Sequence, residues 1–479
     1  MSWHESYVGR VLEPDYRFAA RHLAPHLLDA LAAHLRTVAD LPIAQAPAAR
    51  AQIRAAHQAL LRWHDRPLPD FSPEVPDAFF AVYRALEEEL GAASAGWLRV
   101  GLSRNDLDMT VYKLRARAQA LQLGGRLLTL RAAVLEQAER GIDTVLIAQT
   151  HHQPGQPTTV AHYHLAIAAL AARDTARLLD AWVRLDTCPM GAAALAGSSH
   201  PLDRAATARR LGFAAPVENT YDAVAASDWG VELVGVAQSV ALNASRLVCD
   251  LLAWTAAGWY RLPDALVQGS SIMPQKRNPV PLEHARARFS RAAGAAQMVA
   301  FSSHNIPFAD LNDFGPDLQG TLQTQHTQLL GGLDLLHACV REGRFDTEAL
   351  AEVAAATDTS ATELADELVR RAGMDPAAAQ GVVGRMVRRA GAEGRSAASL
   401  GPDDLEAAGG PRVEAEIVRD ALDPARFVAR RDGLGGPAPT SVRAQLTRAR
   451  EALDRDRARL AGHEEQAEAA RRELRTPWS

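Results

Sequence analysis

The chain is expected to be an all-α protein built around a bundle of long helices, and three observations predict this. Alanine, leucine and arginine dominate, and apolar residues recur at helical spacing over long stretches. Alternating strand patterns are scarce, with the β-branched residues scattered. Segments rich in proline and glycine divide the chain between the periodic stretches.

In the N-terminal third, Pro67-Leu68-Pro69 and Pro73-Glu74-Val75-Pro76 mark an exposed connection. Helices are then expected over roughly 107–139, 161–185, 229–258, 280–302 and 317–341. Within 161–185 the apolar residues hold a wide stripe, while Arg173, Asp174, Arg177 and Asp180 lie off it. Each such helix would be roughly 40 Å long at 1.5 Å per residue, which implies a bundle with burial against other subunits. Loops are expected at Cys188–Pro201, Gln268–Pro281 and Ile306–Pro316. Gly433-Leu434-Gly435-Gly436-Pro437 breaks the chain again. Thr440 or Ser441 then offers an N-cap for a final charged helix, whose end from Asp454 to Arg475 reads as solvated or frayed. The expected domains are 1–104, 105–343 and 344–479.

Composition narrows the function. The 479 residues carry a net charge of −5 and no basic block, which argues against nucleic acid and for a small molecule or another protein chain. Three widely spaced cysteines, Cys188, Cys249 and Cys339, argue against a disulfide framework and point to a reducing, cytoplasmic setting. The N-terminus lacks the basic start and apolar run of a secretion signal. The uncharged stretch Pro154–Ala172 holds Gln156, Thr158, Thr159, His162 and His164, too polar for a membrane span.

Three constellations can carry chemistry. In Gly269–Pro279, a glycine and two prolines bound a segment with Ser270, Ser271, Met273, Lys276 and Asn278. Such a loop could close over a substrate, Lys276 offering a point charge and Asn278 a hydrogen-bond donor to a carboxylate. It could equally be a solvated surface loop. In Ser103-Arg104-Asn105-Asp106, the guanidinium suits a planar carboxylate, while Ser103 or Asn105 could cap a helix with Asp106 complementing its dipole. In Thr150-His151-His152-Gln153, a histidine at a helix entrance could move protons near neutral pH. His162 and His164 point about 200° apart on a helix, so they do not share a metal ion there. Gln268-Gly269-Ser270-Ser271-Ile272 lacks the Gly-x-Ser-x-Gly pattern and preceding strand of a serine hydrolase. Gly433–Pro437 lacks the strand–turn–helix setting of a dinucleotide loop.

Together these motifs resemble the fumarase/aspartase superfamily, and within it the argininosuccinate lyase branch. Residues 269–279 match every fixed position of the signature Gly-Ser-Ser-x-Met-Pro-x-Lys-x-Asn-Pro. Ser103–Asp106 and Thr150-His151-x-Gln153-x-x-Gln156-Pro157 resemble two further branch motifs, as do Glu218–Val224, Asp317-Leu318-Gln319 and Val428–Arg431. The likeness covers roughly residues 10–453. It implies a cofactor-free, metal-free homotetramer with a core of about twenty helices and active sites shared by three subunits. It also implies an anti elimination of fumarate from an N-substituted aspartate. Ser270 would act as base on a mobile loop, with Lys276 and Asn278 stabilising the aci-carboxylate near Arg104 and Asn105. Thr150 and His151 would contact substrate or pass a proton to the departing nitrogen. Ser103, Ser271, Met273 and Gln319 would complete the substrate contacts.

The sequence departs from the branch where the leaving group is recognised. Arg99-Val100-Gly101-Leu102 stands where His-Thr-Gly-Arg is usual, and Ala19 where a serine is. In Pro307–Pro316 the usual tyrosine is absent, and Asp310 and Asp313 appear instead. Acids there would favour a cationic amine. An argininosuccinate-type substrate is therefore the first expectation. The second is another amine–succinate adduct, such as the aminopolycarboxylate of ethylenediamine-disuccinate lyase, and a catalytically inactive structural homologue is the remote third.

Overall fold

The structure, a computed structural model, describes residues 3–476. Its core is five long helices: α1 (Arg104–Arg140), α2 (Val160–Leu185), α3 (Asp228–Ala256), α4 (Val280–Ser302) and α5 (Pro316–Glu342). All five lie within a few residues of their expected positions. Their starts follow local chemistry. Ser103 caps α1 in a reciprocal capping box with Asp106, and the Thr159 hydroxyl accepts from the His162 N–H at 3.0 Å to cap α2.

Side-chain contacts give the helix directions. Arg115 reaches Gln319 near the starts of α1 and α5, while Gln137 donates to the Val340 and Gly343 carbonyls near their ends. These two helices are therefore parallel. Asp174 of α2 meets Ser239 and Asn243 of α3, and Tyr163 bonds Asp250, so α2 and α3 are antiparallel. Arg288 faces Gln328 and Met298 faces Thr321, which makes α4 antiparallel to α5. One end of the bundle thus carries the start of α1 and the α4–α5 connection. The opposite end carries the α1–α2 connection and the α3–α4 connection.

Two expectations are corrected here. The segment after α1 is not a simple helix entrance: Val145–Thr150 and Gln153–Thr159 form an antiparallel hairpin, and α2 begins only at Val160. A two-residue hairpin turn of type I′ needs positive φ at both turn positions, and His151 and His152 adopt it at 53° and 59°. Neither is a residue type that signals such a turn, so the helix-biased reading passed over it.

The second correction concerns the last helix, α6 (Pro439–Arg475). Its N-cap is Ala438 with Pro439 in the first turn, and the Ser441 hydroxyl instead donates to the Gly433 carbonyl. The helix is not solvated on every side. Leu446, Leu453, Leu460, Ala470 and Leu474 are buried on one stripe, and His463 stacks on Trp182. Charges on the other faces masked that stripe. A fully buried Arg131 on α1 is paired with Asp456 of α6 at 2.6 Å. Asp456→Ala leaves that guanidinium buried without a counter-charge and is expected to cost about 3 kcal/mol. Denaturant unfolding reads this directly; an unchanged midpoint would show that the pair does not hold α6.

Apart from the bundle core, Leu364, Leu368, Val382, Met386, Leu405 and Val418 form a separate apolar cluster in the helices that follow α5. Val442 and later residues of α6 return to the bundle core.

Candidate active site

At the first end of the bundle, Ser103 is held as a cap. Its N–H donates to Asp106 Oδ1 at 3.0 Å, and its hydroxyl accepts from the Asn105 N–H at 3.3 Å and donates to Asn105 Oδ1 at 2.5 Å. Asp106 is fully buried, and its second oxygen accepts from the Gly191 N–H at 2.7 Å. Asp106→Ala would strand both N–H groups and is expected to destabilise the protein by about 2 kcal/mol. A thermal unfolding scan checks this, and no shift in Tm would contradict the capping role.

Arg104 and Asn105 point outward from this anchored turn. The Arg104 guanidinium bridges Asp77 at 3.0 Å and Asp108 at 3.1 Å. A guanidinium has five N–H donors, so it retains capacity for a further acceptor. The Asn105 amide donates to Asp310. Asp310 is thus brought to the expected residues of α1, while Asp313 is exposed and has no bonding partner among the described residues. The stretch carrying both is pinned by Phe314, which packs edge-on to Trp229 and over Gly230, where a Cβ would come within 2.7 Å of the ring. Gln319 is buried, with its oxygen accepting from Arg115 at 2.9 Å.

A cavity of about 780 Å³ opens beside Arg104, Ala19 and Gln319. Its wall includes Asp15, Asp77, Asp108 and Tyr112, none of which the motifs singled out. A signal was present for two of them: Asp108 and Tyr112 lie four and eight positions after Arg104, on one helical face. Burial and nearby Asp317 push the Asp15 carboxyl up to about 6. Asp77 and Asp15 come from other elements, and only packing brings them here.

At the opposite end stand the other two motifs. Thr150 pairs with Gln153 across the hairpin, and Thr150, His151 and His152 are all exposed. His162 bonds Thr158 and the Gly435 carbonyl, whereas His164 is buried against the Val160 carbonyl. Among the described residues, no group of three or more histidine, cysteine or acidic side chains is placed to hold a metal ion.

The Gly269 loop is closed at its base by Gln268-Gly269 pairing antiparallel with Arg277-Asn278. Arg277 anchors the base on Asp264 and the Leu262 carbonyl. Beyond it the segment from Ser271 to Lys276 is exposed, Ile272 to 82%. Ser270 Oγ accepts main-chain N–H groups from Met273 at 3.1 Å and Ile272 at 3.4 Å. These two donors would favour a negative charge on that oxygen, and among the described residues no comparable bond reaches the Ser271 hydroxyl.

Within one chain the three motifs do not meet. The 23 residues of α4 alone separate the loop from the Asn105 end by more than ~30 Å at 1.5 Å per residue. The hairpin lies past the far end of the still longer α1.

Comparisons with known proteins identify the family. A family described as lyase matches residues 15–294, and one described as argininosuccinate lyase C-terminal matches residues 358–429. Argininosuccinate lyase of Methanoculleus marisnigri is 37% identical over 419 residues, covering 85% of this chain and 84% of that protein. Argininosuccinate lyase 2 of Agrobacterium fabrum is 34% identical over 445 residues, covering 91% and 88%. Among solved structures, EDDS lyase in complex with formate superposes with a TM-score of 0.87 at 28% identity, covering 99% of this chain and 95% of that one. A class II fumarase from Schistosoma mansoni, at 16% identity and a TM-score of 0.70, shares the fold. The chain therefore belongs to the argininosuccinate lyase branch of the fumarase/aspartase superfamily and is a fumarate-releasing carbon–nitrogen lyase.

Proposed function

We propose that the protein eliminates fumarate from an N-substituted aspartate, reversibly and in the anti sense, in sites shared between subunits of a homotetramer. The observation that carries this is the setting of Ser270: an exposed loop with a narrow anchored base, on which one hydroxyl receives two main-chain donors. Ser270 takes the proton from the succinyl carbon beside a carboxylate. Charge then spreads into that carboxylate as an aci-carboxylate. Lys276 and Asn278 stabilise it, and one such preorganised donor is worth about 3 kcal/mol of barrier. Ser271 and Met273 flank the substrate on the same loop.

The hairpin turn supplies Thr150 to a carboxylate and His151 to the substrate or the departing nitrogen. Two adjacent histidines at positive φ cost of order 1 kcal/mol each, and strain of this kind gathers at functional turns. Ser103, Arg104, Asn105, Gln319, Asp310 and Asp313 bound the site at the other end. The separation of the ends supports sites assembled from several chains, as does the exposure of Leu242, Met298 and Phe301 on the outside of α3 and α4.

Argininosuccinate is the first substrate to offer. A different amine–succinate adduct is a second reading, favoured by Asp310 beside Asn105 where the branch usually carries no acid. Following fumarate release from argininosuccinate and from N-alkyl aspartates tests both; no fumarate from any of them would refute the elimination.

A further inference from the structure

We propose that His162 is a positioning residue of the reaction. Its ring ties the foot of the hairpin that carries Thr150 and His151 to the loop before α6, and so sets where those two side chains stand. This rests on the lyase reading above and adds a residue to it. From Gln149 to Pro154 the hairpin is exposed, and its foot is buried at Pro157, Thr158 and Thr159. The ladder between its strands shifts register between Ile147 and Gln149. A bulge of this kind re-aims what lies beyond it, so the aim of the tip depends on how the foot is held. His162 stands at that foot, in the first turn of α2, and all of its polar groups are used. Its main-chain N–H donates to Thr159 Oγ1 at 3.0 Å, Nδ1 lies 2.8 Å from Thr158 Oγ1, and Nε2 lies 2.9 Å from the Gly435 carbonyl oxygen. A carbonyl only accepts, so Nε2 carries a proton, and in the neutral ring Nδ1 then accepts from the Thr158 hydroxyl. With both nitrogens engaged, His162 acts through the hairpin and is neither the base nor the acid.

The far end of this bridge is a firm mount. Gly435 adopts φ 79°, and the Gly436 N–H donates to the Gly433 carbonyl at 2.9 Å. A Cβ on Gly436 would come within 2.1 Å of the Arg431 carbonyl oxygen, so the turn closes only with glycine there. The Ser441 hydroxyl donates to the Gly433 carbonyl at 3.0 Å, and Gln445 Nε2 donates to the Gly436 carbonyl at 3.0 Å. Both donors belong to α6, which packs along α1 and α2. His162 therefore refers the hairpin to the bundle a second time, by a route separate from the chain that leads into it. Gln156 adds a longer tie, 3.4 Å to Thr362 Oγ1. A reacting group displaced by about 1 Å can lose about a hundredfold in rate, so a support of this kind acts on turnover.

The full-length protein is assayed for fumarate release from argininosuccinate and from N-alkyl aspartates, and gel filtration confirms the assembly of each variant. His162→Phe keeps a ring and removes both side-chain bonds. It is expected to lower kcat by about 10- to 100-fold and to change KM by less than about threefold. His162→Gln keeps an N–H for the Gly435 carbonyl, and Thr158→Val leaves that same bond while removing the other. Each is expected to lose only about fivefold in kcat, so glutamine rescues much of what phenylalanine loses. Thr158→Val added to His162→Phe is expected to cost nothing further, because the two changes cut one bridge. A His162→Phe protein with wild-type kcat would overturn the proposal. So would a glutamine variant no better than the phenylalanine one, or a double variant that loses the product of the single effects; a histidine that only stabilises the fold would give such results with a lowered Tm. If the phenylalanine variant does not assemble, Thr158→Val decides alone, and wild-type kcat there overturns the bridge. No fumarate from any adduct with the wild-type protein would instead refute the lyase reading on which this stands.

Discussion

Ser270→Ala is expected to lower kcat by about a thousandfold or more while the protein remains folded and assembled. The size follows from the role. Removing a base that acts in the proton-transfer step costs orders of magnitude, because no neighbouring group replaces it. A serine hydroxyl ionises poorly in water, so the environment must favour its anion. On this loop the Met273 and Ile272 N–H groups point at Ser270 Oγ, and Lys276 lies on the same short segment. Among the described residues Ser271 has no such donors, and Ser271→Ala is expected to cost less than about tenfold. Fumarate formation under saturating substrate measures both variants, with gel filtration to confirm assembly. Substantial activity in the Ser270 variant, or equal losses in the two, would remove Ser270 from the base role. The loop is exposed and makes few contacts, so neither change should disturb folding.

The second large effect concerns assembly. Ser270→Ala and Arg104→Ala proteins are each expected to be nearly inactive alone. Mixed and reassembled together, they are expected to regain a measurable fraction of wild-type activity. The reason is distance: Ser270 and Arg104 lie at opposite ends of a bundle more than ~30 Å long, so a site containing both must draw them from different chains. In a hybrid oligomer some sites receive an intact Ser270 from one subunit and an intact Arg104 from another. A mixture no more active than its components, after subunit exchange is verified by mass, would contradict shared sites. The double variant Ser270→Ala/Arg104→Ala mixed with either single variant supplies the control, since it cannot restore a complete site.

Helix positions were legible because helical periodicity is a local property. α1 to α5 each bury a face defined by residues three and four apart, and that pattern stands in the sequence. Motif chemistry was legible for the same reason: the hydroxyls, amides and charges of Ser103–Asp106 and Gly269–Pro279 are adjacent in the chain. The chain offered Ser103 or Asn105 as the cap of α1, and the structure selects Ser103, with Asp106 returning a bond to it. The hairpin at His151-His152 was not legible, because a two-residue turn with positive φ is normally marked by Asn or Gly. The buried stripe of α6 was hidden because arginines and glutamates crowd the helix, and its apolar residues matter only against other segments, α1 and α2 foremost.

Chain order alone was thus enough to establish the helical bundle and the lyase branch, and it holds the adjacent motif residues proposed for the fumarate-forming step. Those properties depend on neighbours within one turn or one loop. Packing alone settled where these residues stand. It placed Ser103–Asn105 and Ser270–Asn278 at opposite ends, tied Arg104 to Asp77 and Asp108, and joined Asn105 to Asp310. It also lined one cavity with Asp15 and Glu87 beside Arg84, Arg99 and Arg104. Electrostatic pairing across a cavity depends on distances of a few ångströms between segments far apart in the chain, and only the folded arrangement sets those distances.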